Sequence, residues 1–145
     1  MSADIKEIAQ RLMEEGWNNR RLAVVDEVID PAYKYHDPNS PDFAQGPEGY
    51  RARILFYEKA FPDMHFVVED VIAEADRAVI RWHASATHQG ELLGIPATGR
   101  SISGPGMSIM RFENGKIVED WCVWDTLGVL RQIGALPASA TGQAA

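Results

Sequence analysis

The sequence predicts an α+β domain in which three helices precede an antiparallel sheet of four strands. Apolar residues recur at helical spacing as far as Phe61, and strand-like alternation takes over after His65. Asn114-Gly115, between two strand patterns, is a strong signal for a two-residue hairpin. The chain has 145 residues, of which 46% are hydrophobic, so it has the size and composition of one domain with a packed core.

The helices are placed by apolar periodicity and by the residues that begin and end helices. The first is predicted over about Ile5–Glu15, with Gly16 as its C-terminal stop. The second ends at Pro31, and the third has Pro47 in its first turn and ends at Pro62. These three helices form the first half of the predicted domain.

The second half is predicted to be a β-meander closed by a short helix. The predicted strands are Phe66–Glu74, Arg77–His88, Ser101–Phe112 and Lys116–Trp124, and the closing helix is Thr126–Ile133. Gly104 and Gly106 predict a bulge or sharp bend in the third strand. A strongly bent sheet that wraps round the helices leaves a concave cavity between the two layers. Residues 1–137 are therefore predicted as the single domain, and residues 138–145 as a flexible tail.

The charge excludes two classes of partner. The formal net charge is −7 and there is no cluster of Lys and Arg. Nucleic acid is not an expected partner, because phosphate binding needs concentrated positive charge. Acidic membrane surfaces would repel the chain, and no apolar run approaches the length of a transmembrane helix. The N-terminal stretch lacks the apolar core of a signal peptide, so a cytoplasmic location is expected.

Several kinds of chemistry are disfavoured by the motifs. Cys122 is the single cysteine, so an intramolecular disulfide and a CxxC zinc site are impossible. The sequence has no HExxH motif and no GxSxG nucleophile elbow. A metal site built from the scattered His36, His65, His83 and His88 is a less favoured alternative, since they show no ligand spacing. Acid–base chemistry in an apolar pocket, without metal or cofactor, is the expected class.

Two segments carry a family resemblance. They are THQGELLGIPATGR, residues 87–100, and GKIVEDWCVWDTLGVLRQIG, residues 115–134. They resemble the SnoaL-like polyketide cyclase family of the nuclear-transport-factor-two-like superfamily. The resemblance implies a cone-shaped α+β barrel, usually a homodimer, with a hydrophobic pocket for a small apolar substrate. It also implies cyclisation, isomerisation or dehydration of a cyclic or polyketide-like carbonyl compound.

The resemblance also bears on catalytic residues. In these cyclases the catalytic acid/base is an aspartate on the last strand, which maps onto Cys122, and its partner histidine maps onto Ser108. Strand alternation places Asp120, Cys122 and Trp124 on one face. A thiol, with an ordinary pKa of about 8.5, cannot simply take over a carboxylate's role. We therefore predict Asp120 as the acid/base group, with His88 as its hydrogen-bonding or proton-shuttling partner. A plain solvated strand carboxylate is the alternative for Asp120, and shaping the loop that follows the strand is the alternative for His88.

Other candidates follow from position. Asp125 stands where the family commonly has an acidic residue, but it directly precedes a helix, so N-capping is favoured over catalysis. His36 is predicted in a loop at the cavity mouth, where a loop hydrogen bond is the alternative to ligand binding. The predicted substrate-binding residues are His36, Tyr50, Tyr57, Met107, Ser108, Met110, Cys122 and Trp124.

Two further functions stay open at this stage. Loss of both family catalytic positions would suit a non-catalytic ligand-binding or accessory protein, and the cofactor-independent hydroxylases that share this fold are a second enzymatic alternative. A carboxylate with a raised pKa inside a closed apolar pocket would favour an enzyme. Trp121 and Val123, on the opposite strand face from Asp120, would suit a homodimer interface.

Overall fold

The computed structural model describes residues 2–137 of the chain. The helices are α1 (Ser2–Arg11), which continues as a π-helical segment over Leu12–Asn18, α2 (Ala23–Val28), α3 (Gly46–Ala60) and α4 (Thr126–Gln132). The strands are β1 (Ile29–His36), β2 (His65–Glu74), β3 (Arg77–Thr87), β4 (Ser101–Glu113) and β5 (Lys116–Trp124). This arrangement confirms the α+β class. The predicted tail, residues 138–145, lies outside the described residues.

The sheet has five strands in the order β1-β5-β4-β3-β2. The predicted meander is confirmed as the antiparallel part, from β2 to β5. The prediction missed β1, which lies parallel to β5 at the sheet edge. Pro31 therefore lies inside a strand and does not end a helix, since α2 already ends at Val28. An edge strand accepts proline because its missing N–H can face away from the ladder.

The predicted stop at Gly16 is also wrong. The first helix continues past this glycine to Asn18, and Gly16 is buried. A Cβ atom at this position would lie 3.3 Å from side-chain atoms of both Leu12 and Val24. Gly16 is thus a close-packing position inside the helix, and the chain turns only after the buried Trp17.

Gly106 in β4 makes room for an aromatic ring. The predicted bulge is absent, because β3 and β4 pair without interruption from Arg77–Arg111 to Thr87–Ser101. Gly106 lies directly opposite Trp82, and a Cβ on Gly106 would come within 2.1 Å of the indole. Register shifts lie elsewhere, between Arg111 and Phe112 and in the β2–β3 pair.

The two faces of the sheet have different surroundings. On the inner face, alternate residues of β3 such as Ala78, Ile80 and Trp82 are buried beneath the helices. The outer face carries exposed apolar side chains, among them Val67, Ile72, Met107, Ile109 and Val123. None of the described helices is both long and apolar enough to cross a membrane.

Candidate active site

A cavity of about 90 Å³ lies between the helices and the inner face of the sheet. Its walls are mainly aromatic and aliphatic, and the aromatic residues are Trp17, Tyr35, Tyr50, Tyr57, Phe61, Phe66, Trp82 and Trp124. The lining also includes five polar or ionisable side chains without an aromatic ring, which are Arg53, Ser108, Asp120, Cys122 and Asp125. Such a mostly apolar pocket with a few converging polar groups is typical of a small-molecule site.

Asp120 is the buried carboxylate of this cavity. Strand alternation on β5 turns it inward, where it is only 2% exposed. One carboxylate oxygen, Oδ2, accepts a hydrogen bond from the Tyr33 hydroxyl at 3.1 Å. The other, Oδ1, has no hydrogen-bond partner among the described residues. Loss of water on burial raises the pKa of Asp120 to about 6, although the nearby Arg53 charge and the Tyr33 hydrogen bond act in the opposite direction.

Arg53 supplies a buried positive charge beside this carboxylate. It lies on α3, and its Nη1 donates to the Tyr33 hydroxyl at 3.0 Å. Its Nη2 lies 3.8 Å from Asp120 Oδ2, which is too long for a hydrogen bond. The guanidinium carbon is 3.4 Å from the Tyr35 ring centroid and 4.3 Å from that of Tyr50. Cation–π contact with two rings therefore fixes the plane of the guanidinium inside the cavity.

Ser108 and Cys122 face each other on neighbouring strands. Ser108 on β4 and Cys122 on β5 are cross-strand neighbours, and both are buried at the cavity. Burial, with the Asp120 charge as a smaller cause, raises the pKa of the Cys122 thiol to about 11. The thiol is therefore neutral near pH 7 and cannot serve as a proton-accepting thiolate.

Most of the predicted site residues line the cavity. They are Tyr50, Tyr57, Ser108, Met110, Asp120, Cys122, Trp124 and Asp125. They come together because inward positions of β4 and β5, the residue just after β5 and the buried face of α3 all line the same cavity. Asp125 also caps α4 as expected, since its Oδ1 accepts a hydrogen bond from the Gly128 N–H at 2.9 Å.

The predicted hydrogen bond between Asp120 and His88 is wrong. His88 is buried in the segment that follows β3, where its Nδ1 lies 2.9 Å from Thr98 Oγ1. The register shows why: Asp120 aligns through Met110 with Ala78, near the opposite end of β3 from His88. His88 thus shapes the turn between β3 and β4.

His36 and Met107 do not contact the cavity, contrary to prediction. His36 ends β1 on the outer face, where its ring stacks on Trp121 and its Nε2 lies 2.7 Å from Glu119 Oε2. Met107 is 48% exposed and pairs with Val123. Each is one residue away from an inward position, and a one-residue step on a strand reverses the face. Within residues 2–137, no group of three His, Cys, Asp or Glu side chains is placed to hold a metal ion.

Sequence reasoning missed Arg53, Tyr33 and Tyr35. The signal for Arg53 was present, because it follows Tyr50 by three residues and precedes Tyr57 by four, on the buried face of α3. The two tyrosines alternate along β1, the strand that was not recognised. Asp37, just after β1, accepts hydrogen bonds from the Tyr35 hydroxyl at 2.8 Å and from Trp124 Nε1 at 3.2 Å. It therefore anchors two aromatic walls of the cavity.

Comparison with known proteins agrees with this architecture. Aklanonic acid methyl ester cyclase DnrD of Streptomyces peucetius is 32% identical over 133 residues, covering 86% of this chain and 87% of that protein. The structure of TsrD from Streptomyces laurentii superposes with a TM-score of 0.83 at 30% identity, covering 92% of this chain and 97% of that one. AclR from Streptomyces galilaeus, a candidate hydroxylase, also gives a TM-score of 0.83, at 28% identity, covering 99% of this chain and 89% of that one.

The family model described as SnoaL-like polyketide cyclase matches residues 7–133, from α1 to the end of α4. That span begins within α1 and includes the other described helices, the strands β1 to β5 and the residues that line the cavity. The curved sheet with its helices packed inside is the cone fold of these relatives. The chain therefore belongs to the SnoaL-like polyketide cyclase family.

Proposed function

We propose that this protein is a cofactor-free acid/base enzyme that acts on an apolar, cyclic or polyketide-like carbonyl compound. Asp120 is the proposed proton-transfer group. The observation that carries the proposal is a carboxylate in an apolar cavity, with one oxygen unpartnered among the described residues and a pKa near 6. Groups with such shifted pKa values are typical of catalytic sites.

The chemistry follows from that pKa. With a value of about 6, most of Asp120 is ionised at pH 7, so it can remove a proton from the carbon next to a carbonyl group. Its conjugate acid can then return a proton to the oxyanion that forms when the ring closes. The carboxylate at position 120 would thus replace the aspartate that the family has at the position of Cys122, two residues further along the same inward face.

The relatives support a cyclisation in particular. The curated relative DnrD is an aklanonic acid methyl ester cyclase, so methyl esters of aromatic polyketide acids are the first substrates to test. Aromatic side chains on several walls of the cavity would pack against flat rings.

The test is a steady-state assay on aklanonic acid methyl ester and related methyl esters between pH 4.5 and 8.5. If Asp120 is the base, kcat/KM rises with pH and levels off above a midpoint near 6. Tight binding without turnover of any ester in the series would contradict the proposal and favour a ligand-binding protein. Turnover that consumes dioxygen would instead favour a hydroxylase activity for this protein, like that suggested for AclR.

We further propose that the protein is a homodimer through the outer face of the sheet, and that it works in the cytoplasm. The exposed Met107 and Val123 are cross-strand partners, and the exposed Ile109 lies on the same face of β4, so together they form an apolar surface that a second copy would cover. Sedimentation equilibrium should give twice the chain mass, and Val123→Glu should give the monomer. A wild-type monomer at micromolar concentration would contradict the homodimer.

A further inference from the structure

Arg53 has more hydrogen-bonding capacity than its protein neighbours use. A guanidinium carries five N–H donors, and in the described part of the chain Arg53 donates one hydrogen bond, from Nη1 to Tyr33. Nη2 stays 3.8 Å from Asp120, whereas a purely structural arginine–carboxylate pair normally closes to about 2.8 Å. The side chain also lines the cavity. This buried cation, which lies next to a proton acceptor, therefore has N–H donors available for an acceptor atom of a bound ligand.

We propose that Arg53 binds the oxygen on which negative charge develops during the reaction, the enolate oxygen of a ketone or ester carbonyl. This inference rests on the proposed function and adds a second catalytic residue to it. It also narrows the substrate class, because the carbonyl oxygen and the acidic C–H must lie close enough to reach Arg53 and Asp120 together.

The proton and electron balance is simple. Asp120 takes the proton from the carbon, the electron pair of the C–H bond forms the C=C bond of the enolate, and the carbonyl π electrons move to oxygen. Before the step the cavity holds the Asp120 carboxylate and the Arg53 cation; after it, the enolate and the same cation. One negative charge moves from Asp120 to the substrate, and Arg53 compensates it in both states.

The rigidity of Arg53 suits this role. The rings of Tyr35 and Tyr50 contact the guanidinium, and Tyr33 holds Nη1 while also donating to Asp120. The donors are therefore already oriented when charge develops, and an apolar cavity strengthens their effect relative to water. Tyr33 connects the base and the cation, so it is a positioning residue for both.

The experiment uses 4-nitrophenol as an enolate mimic and 4-nitroanisole as its uncharged counterpart, each titrated at pH 8 into purified Asp120→Asn protein, because Asp120 is protonated and neutral once the enolate has formed. This protein should bind the phenolate at least tenfold more tightly than the anisole, and adding Arg53→Met should remove that preference. Arg53→Lys should retain part of it. Arg51→Met is the matched control, because Arg51 lies two residues away on α3 and pairs with Asp26 at the surface.

Each outcome decides between the alternatives. Equal phenolate preference with and without Arg53→Met in the Asp120→Asn protein, with both folded by circular dichroism, would overturn the inference, as would no preference in the Asp120→Asn protein itself. In turnover, Arg53→Met should lower kcat by about 10²–10³-fold, the usual loss for one oxyanion donor. If Asp120→Asn keeps full activity while Arg53→Met loses the phenolate preference, the proposed function fails but the anion site stands.

Discussion

Glu119 and Asp120 are adjacent carboxylates on β5 that experience opposite environments. Glu119 faces outward, where hydrogen bonds from His36 and Arg111 lower its pKa. Asp120 faces inward, where burial raises its pKa to about 6. Both carboxylates have a cationic residue nearby, so the sign of the charge partner does not explain the difference.

Hydration explains it instead. A carboxylate at the protein surface keeps water and gains hydrogen bonds, whereas a carboxylate inside the cavity loses water before it gains anything. Asp120 keeps one hydrogen bond, from Tyr33, and faces Arg53 across 3.8 Å. A one-residue step along a strand thus separates a surface ion pair from a group suited to proton transfer.

Replacing each of these two carboxylates in turn should have its largest effect on turnover. Asp120→Asn should lower kcat by about 10²–10⁴-fold, because the proton acceptor is removed while shape and hydrogen-bonding groups remain. Glu119→Gln, the matched change on the other face, should alter kcat less than twofold. Initial rates at saturating substrate measure both, and equal losses in the two variants would refute the assignment of Asp120.

The second effect is on stability as a function of pH. The folded state holds the Asp120 proton up to about pH 6, while the unfolded chain releases it near pH 4. The free energy of unfolding contributed by this group therefore falls as pH rises, by about 3 kcal/mol between pH 4 and 7.5. Asp120→Asn should lack this fall.

Urea unfolding of wild type and Asp120→Asn at several pH values measures that difference directly. The slopes of the free energy of unfolding against pH should be compared, and not the absolute values. The variant leaves Arg53 without its counter-charge at every pH, which shifts its whole curve. The pH dependence that Glu119 contributes to the free energy of unfolding has the opposite sign. Its pKa is lowered in the folded state, so its stabilising contribution is lost as pH falls. A wild-type curve parallel to that of Asp120→Asn would show that Asp120 titrates normally.

A third prediction compares neighbouring inward and outward positions on β4. Gly106→Ala should destabilise the fold by about 1–3 kcal/mol, because its Cβ would overlap the Trp82 ring. Met107→Ala, next along the strand and exposed, should cost clearly less. Thermal unfolding of both variants tests this, and a larger loss for Met107→Ala would mean that the outer face is buried in an assembly.

The smallest effect concerns Asp125 at the end of the same strand. Asp125→Ala should destabilise the protein by about 1 kcal/mol through loss of the α4 cap, and Asp125→Asn, which keeps a capping oxygen, by much less. If capping is its role, Asp125→Asn also retains activity. A large activity loss in a stable Asp125→Asn protein would instead indicate catalysis.

Much of the fold was accessible from the sequence because its signals are local. Apolar periodicity gave α3, the Asn114-Gly115 turn gave the last hairpin, and alternation on β5 placed Asp120 with Cys122 and Trp124. The strand β1 was missed because Pro31 resembles a helix end, and its pairing with β5 joins residues far apart in the chain. Local patterns carry no information about such pairings.

Local sequence patterns were enough for the α+β class, for the grouping of Asp120, Cys122 and Trp124 on one face of β5, and for the N-cap at Asp125, since each depends on residues close together in the chain. Long-range packing set which face of β5 points inward, and placed Arg53 and Tyr33, but not His88, beside Asp120. The reason is that burial and the choice of partner depend on how α3 packs over the sheet and how β1 pairs with β5 at its edge, and the pKa of the carboxylate follows from that packing.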